Sequence, residues 1–235
     1  MATYVLVHGG WAGGWIWRRV TPLLRRAGHE VFTPTLTGLG ERAHLASPAV
    51  NLDTHAQDVA GVLEFEDLRG VTLVGHSYGG MVITAAAELA AERLAQLVYL
   101  DAWVPSDGES ATDLIGPGAA ASFEERAREK GGGWMMPPMP PQWIHVTDEP
   151  DVAWLNAMFR PQSLQTFVQP ARLASAAAAA LPRTFIYCHQ PPLGLFESSV
   201  AKARAGGWRC FEMATGHCPP VTAPQQLADL LLRLA

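Results

Sequence analysis

Ser77 stands at the centre of Gly75-His76-Ser77-Tyr78-Gly79, between the apolar run Val71-Thr72-Leu73-Val74 and the small-residue stretch Gly80 to Ala87. Strand, tight turn and helix in that order, with a hydroxyl at the tip, is the setting a G-x-S-x-G nucleophile elbow requires. Gly75 and Gly79 leave room for the two backbones to pass close together, and the serine must take strained dihedrals that push Oγ outward. A serine hydroxyl is a poor nucleophile at its free pKa, so an imidazole must accept its proton during attack and return it to the leaving group. His217, in Thr215-Gly216-His217-Cys218-Pro219, follows the last strand pattern, and parallel sheets gather their chemistry at the carboxyl ends of strands.

The third member is harder to find. After the strand Thr184 to Tyr187 the chain reads Cys188-His189-Gln190-Pro191-Pro192, and no carboxylate comes before Glu197. Asp101 ends the preceding apolar strand, in Val98-Tyr99-Leu100-Asp101-Ala102. A carboxylate there is costly unless paired, and pairing with His217 Nδ1–H would satisfy it and fix the tautomer. Asp101 is the favoured acid; Asp107, Glu197 and a histidine assisted only by water are the alternatives. Two backbone N–H groups are expected to face the developing oxyanion: that of Tyr78, after the nucleophile, and one in His8-Gly9-Gly10-Trp11, with Gly10 preferred.

The remaining histidines read more plainly. His76 is adjacent to Ser77, but successive side chains of an extended segment point apart, which suits packing. His8 would hold loop backbone near the pocket, His55 opens a helix, His29 and His44 suit loop or surface, and His145 is expected on the cavity wall. None is spaced as a metal site, and no metal or cofactor is expected.

The elements that must position these groups alternate along the first hundred residues. Strands are predicted at Tyr4 to Val7, Val31 to Thr33, Val71 to Val74 and Leu97 to Leu100, and helices over Trp17 to Ala27, Thr54 to Leu63 and Gly80 to Leu94. The rhythm breaks at Pro105, and Pro, Gly, Trp and Met dominate up to Leu181, with short helices over Ser122–Lys130, Val152–Phe159 and Ala171–Ala180. It resumes with strands Thr184–Tyr187 and Arg209–Met213 and helices Phe196–Ala205 and Pro224–Leu234. An α/β protein follows, with a mostly parallel, doubly wound sheet of about six strands flanked by helices. Residues 1–104 and 182–235 form the core, and a mainly helical cap, 105–181, enters before the last two strands.

With 235 residues, 49% apolar and 17% charged, the chain suits one sizeable core. A net charge of -5 without a basic block gives nucleic acid or an anionic membrane no electrostatic foothold. Met1 leads directly into the first strand, and the three cysteines lack a disulfide spacing. A cytoplasmic protein, monomer or homodimer, is expected.

Taken in order, these motifs resemble the α/β-hydrolase superfamily. More narrowly they resemble its small esterase branch of plant methylesterases, plant hydroxynitrile lyases and bacterial pyrethroid-hydrolase-like carboxylesterases. Val5 to Trp11, Gly14-Trp15-Ile16-Trp17, Gly28-His29-Glu30-Val31, Thr35 to Arg42, the elbow, Thr215-Gly216-His217 and Pro224-Gln225-Gln226-Leu227 carry the resemblance. It implies Ser77 as nucleophile, His217 as base, and Gly10 and Tyr78 as oxyanion donors. The plant members place their aspartate where this chain has Gln190-Pro191-Pro192, whereas haloalkane dehalogenases and some lipases take the acid from the position of Asp101. The lyases' lysine near that aspartate has no counterpart in Pro191-Pro192-Leu193, and a dehalogenase would need a carboxylate at position 77, so hydrolysis through an acyl-enzyme is the implied reaction.

For the substrate, Trp11, Trp103, Trp134, Met135, Trp143, Trp154 and Met158 are the candidate cavity residues, with Met136, Met139, Phe159 and Phe167 in support. Arg42 and Arg160 read as loop-stabilising. A hydrophobic, uncharged ester is expected. A lactone, thioester or carbon–carbon bond, and a non-catalytic ligand-binding role on the same fold, are the competing readings.

Overall fold

The computed structural model describes residues 1–234. Six parallel strands form the sheet: β1 (Thr3–Val7), β2 (Glu30–Phe32), β3 (Val71–His76), β4 (Leu94–Leu100), β7 (Arg183–Cys188) and β8 (Arg209–Met213), in the order β2-β1-β3-β4-β7-β8. A separate antiparallel pair, β5 (Met135–Met136) with β6 (Gln162–Ser163), lies between β4 and β7 in the chain. The helices are α1 (Thr21–Arg26), α2 (Leu52–Phe65), α3 (Gly79–Ala90), α4 (Ala111–Ile115), α5 (Ala119–Lys130), α6 (Glu149–Met158), α7 (Gln165–Val168), α8 (Ala176–Ala179), α9 (Glu197–Ala205), α10 (Pro219–Thr222) and α11 (Pro224–Leu232). β3 and β4 sit centrally and are buried almost throughout, which is why both read as continuous apolar runs. The sheet order reverses direction between β1 and β3, and the Ser77 turn leaves the carboxyl end of β3 at that switch point.

Local chemistry explains where elements depart from their predicted bounds. α2 starts at Leu52 rather than Thr54 because Asn51 and Thr54 form a reciprocal cap, with Thr54 N–H donating to Asn51 Oδ1 at 3.0 Å. The predicted helix 17–27 divides into a 3-10 segment, Gly14–Arg19, and α1, whose first turn holds Pro22, a residue with no N–H to donate backwards. α3 stops at Ala90 instead of Leu94. Arg93 donates to the carbonyl of Leu68 and to Asp67, pinning the turn so that Leu94 already enters β4. Of the predicted helix 171–180 only Ala176–Ala179 forms. The N–H groups of Leu173, Ala174 and Ser175 are taken by the carboxylates of Asp107 and Glu88, which holds that stretch away from helical bonding. Among the described residues no helix is long and apolar enough to cross a membrane.

Candidate active site

Ser77 sits at φ 56°, the left-handed region that a side chain normally avoids. The turn is compressed between backbones: a Cβ on Gly75 would lie 2.4 Å from the Gly79 carbonyl oxygen, and one on Gly79 would lie 2.8 Å from that of Val7. Neither neighbour is a flexible side-chain tip that could yield. Gly75→Ala is therefore expected to cost about 2 kcal/mol or more through overpacking, read as a lowered denaturation midpoint. A variant as stable as the parent would mean the turn has slack.

His217 lies beyond β8 on the loop into α10, and only 3% of it is exposed. Its Nδ1–H donates to Asp101 Oδ2 at 2.7 Å, which leaves Nε2 unprotonated. Asp101 ends β4 with φ 42°, and its other carboxylate oxygen accepts Cys188 N–H at 3.2 Å. The imidazole packs against two rings, stacked on Phe196 at 4.9 Å and 12° and tilted against His76 at 4.8 Å. His76 Nε2–H donates to the His217 carbonyl at 2.7 Å, so this neighbour fixes the loop that carries His217. Burial lowers the pKa of His76 to about 3, and the neighbouring His217 ring opposes a second positive charge there, so His76 is neutral near pH 7. Asp107 and Glu197 face elsewhere: Asp107 accepts Leu173 N–H, and Glu197 lies near the Tyr187 hydroxyl.

Behind β1, His8 Nδ1–H donates to the Gly9 carbonyl at 2.8 Å while Nε2 accepts Leu36 N–H at 3.1 Å, which anchors the loop that carries Gly10. The N–H groups of Gly10 and Tyr78 find no acceptor among the described residues. That of Tyr78 precedes α3, where the helix's partial positive charge adds to its own. Burial raises the Tyr78 phenol well above its ordinary value, and its hydroxyl donates to His55 Nδ1 at 3.0 Å.

Ser77 and His217 line one cavity of about 300 Å³, with Gly10 on its wall. Trp11, Trp103, Trp143, Met139 and Phe159 contribute aromatic and apolar surface, and no charged side chain lines it. Cys218 is also on the wall, but burial pushes its thiol up to about 12, leaving it protonated and unreactive. Four of the seven candidate cavity residues stand elsewhere, and of the four in support Met136 and Phe167 do not line the cavity. Trp154 packs edge-on against Trp15 with the Arg18 guanidinium 3.9 Å over its ring. Trp134 and Met135 are tied into the β5–β6 unit, and Met158 ends α6 away from the wall. His145 is likewise absent from the lining. Its Cβ fills the space where a Gly216 side chain would stand.

Among the wall residues that the sequence does not single out are Leu193, Leu195 and Phe196, from the loop after β7 where the plant relatives' pattern puts an aspartate. Arg42 is spent on Asp58 and the Thr35 carbonyl, and Arg160 on the carbonyls of Ala157 and Phe159. Among the described residues no three His, Cys, Asp or Glu side chains gather as a metal site.

Similarity to known proteins extends over the whole chain. The sequence model described as the alpha/beta hydrolase family matches residues 4–230. A carbendazim hydrolyzing esterase from Nocardioides sp. (strain SG-4G) is 42% identical over 248 residues, covering 100% of both chains. Methylesterase 1 of Arabidopsis thaliana is 25% identical over 99% of this chain and 95% of its own. Among solved structures, an extracellular alpha/beta-hydrolase from a Paenibacillus species superposes with a TM-score of 0.84 at 24% identity, over 99% of this chain and 98% of that one.

Proposed function

The chain belongs to the alpha/beta hydrolase family, and from that premise we propose that it is a serine esterase acting on a hydrophobic, uncharged carboxylic ester. The observation that carries the reading is the 2.7 Å bond from His217 Nδ1 to Asp101 in a cavity that Ser77 also lines. Ser77 Oγ attacks the ester carbonyl carbon as His217 Nε2 takes its proton. Asp101 stabilises the imidazolium without taking up the proton. The tetrahedral oxyanion accepts from the N–H groups of Gly10 and Tyr78, each worth about 3 kcal/mol of transition-state stabilisation when removed. Collapse expels the alcohol, which leaves with the proton from His217. A water deprotonated by the same nitrogen then cleaves the acyl-serine, releasing the acid. The segment 105–181 acts as a cap that supplies much of the apolar wall.

The cavity volume, about 300 Å³, lies at the small end for ligand sites and suits a compact acyl or aryl group. A lining without charge favours neutral substrates over carboxylates or phosphates. Because one relative is named for hydrolysing carbendazim, that methyl carbamate joins p-nitrophenyl esters of rising chain length, lactones and aryl thioesters in the panel that tests specificity. Intact mass after a fluorophosphonate should show one adduct, mapping to Ser77 and abolished by Ser77→Ala together with all turnover. An unlabelled Ser77 with turnover intact in the alanine variant would end the reading.

A further inference from the structure

His8 anchors the loop that carries Gly10 on one side, but beyond Gly10 the loop is held from outside. Trp11, the next residue, sits at φ 62°, a conformation that costs a tryptophan about 1 kcal/mol or more. Its polar groups are all bonded to the segment between β4 and β7. Trp11 N–H donates to Gln162 Oε1 at 2.8 Å, its indole Nε1–H donates to the Met136 carbonyl at 3.1 Å, and its carbonyl accepts Arg160 N–H at 3.0 Å. Gln162 alone acts through a side chain, and it grips the peptide joining Gly10 to Trp11.

Gln162 is itself locked. It is 1% exposed, and its Nε2 donates to Thr166 Oγ1 at 2.7 Å, whose hydroxyl donates to the Ser163 carbonyl at 2.7 Å. One turn on, Phe167 packs against the rings of both Trp11, at 5.6 Å, and Tyr78, at 5.3 Å. A Cβ on Gly10 would meet Gln162 Oε1 and Phe167 at 3.5 Å each, ordinary van der Waals contact, so these two side chains face that backbone. β6 and α7 thus stand behind the two backbone groups that the esterase reading assigns to the oxyanion.

We propose that Gln162 is a positioning residue for the oxyanion hole: its amide oxygen fixes the Gly10–Trp11 peptide and so aims Gly10 N–H at the tetrahedral intermediate. The inference rests on the esterase reading. A preorganised donor acts only if it is in place before charge develops, and a displacement near 1 Å costs about a hundredfold in rate. Ground-state binding in an apolar cavity should feel little of this.

The test compares Gln162→Met, of similar length without the acceptor, with the parent on one p-nitrophenyl ester, and measures inhibition by a trifluoromethyl ketone that forms a tetrahedral adduct. The expected result is kcat lower by about 10- to 100-fold, KM within about threefold, and analogue affinity weakened in proportion to kcat/KM. Thr166→Val, which keeps Gln162 but removes its anchor, should shift kcat and analogue affinity the same way by a smaller factor, and it decides the matter if Gln162→Met does not fold. Parental kcat in a folded Gln162→Met or, failing that, in Thr166→Val overturns the proposal, as does a loss carried by KM with analogue affinity unchanged. Fluorophosphonate labelling of the parent at Ser77 keeps the two readings apart: an unlabelled parent sinks the esterase reading, whereas a labelled, active parent beside an unimpaired Gln162→Met sinks only this one.

Discussion

Asp101→Asn should lower kcat by about 10⁴-fold while leaving the fold and KM nearly unchanged. The size of the loss follows from a proton, not from lost packing. Asp101 accepts from His217 Nδ1–H, which leaves Nε2 free to take the serine proton. An asparagine can turn its amide oxygen to Cys188 N–H, preserving that bond, and then presents an NH₂ donor to Nδ1. The ring must answer with the opposite tautomer, and its Nε2 then carries a proton where a base is needed. The fold survives because asparagine tolerates the left-handed conformation at φ 42° better than most residues. Steady-state kinetics beside a denaturation curve checks both halves. Asp107→Asn and Glu197→Gln, whose carboxylates bond elsewhere, should stay within a factor of a few of the parent. If Asp107→Asn were the crippled variant, the assignment of Asp101 would fail.

Asp101 could be read from sequence because burying a carboxylate at the end of an apolar strand demands a partner, and only a few groups were on offer. The sheet was legible for a related reason: strands covered on both faces must be almost wholly apolar, and β3 and β4 are. Turn chemistry and chain order point to Ser77 and His217, which the structure brings to one cavity. The cavity wall was much less legible. Trp154 and Trp143 look alike in a list of aromatic residues, yet one stacks under Arg18 and the other stands 60% exposed at the cavity. What separates them is how the inserted segment docks, and no local periodicity encodes that. Gln162 gave no signal at all. Its importance comes from the backbone amide of a residue distant in sequence, and a lone glutamine carries no pattern that points there. The loop after β7 is the opposite case: where the family pattern would put a carboxylate, it supplies hydrophobic wall through Leu193, Leu195 and Phe196.

Stability should fall steeply as pH drops below about 6.5, before the carboxylates titrate, because three buried histidines stay neutral in the folded chain. His8 and His55 are held down to about 4 and His76 to about 3, in each case chiefly by burial. All three regain ordinary values near 6.5 when the chain unfolds. Between those limits the unfolded state binds more protons, so acid favours unfolding; above 6.5 both states are neutral and the stability is fully present. Three such groups give a slope of up to about 4 kcal/mol per pH unit, enough to consume a typical domain's stability within two or three units. Geometry agrees with the sign. Protonating His8 would set a new N–H against the Leu36 N–H that Nε2 now accepts, and His76 Nδ1 is buried with nothing to receive a proton's hydrogen bond. His55 tolerates charge better in this respect, since the Tyr78 hydroxyl can turn from donor to acceptor. Urea midpoints at pH 7.5, 6.5 and 5.5 measure the slope, and equal midpoints at 7.5 and 5.5 would refute the argument. His55→Gln supplies the sharper test: an amide can accept from Tyr78 and donate to the Thr37 carbonyl without titrating, so the slope should flatten by about a third.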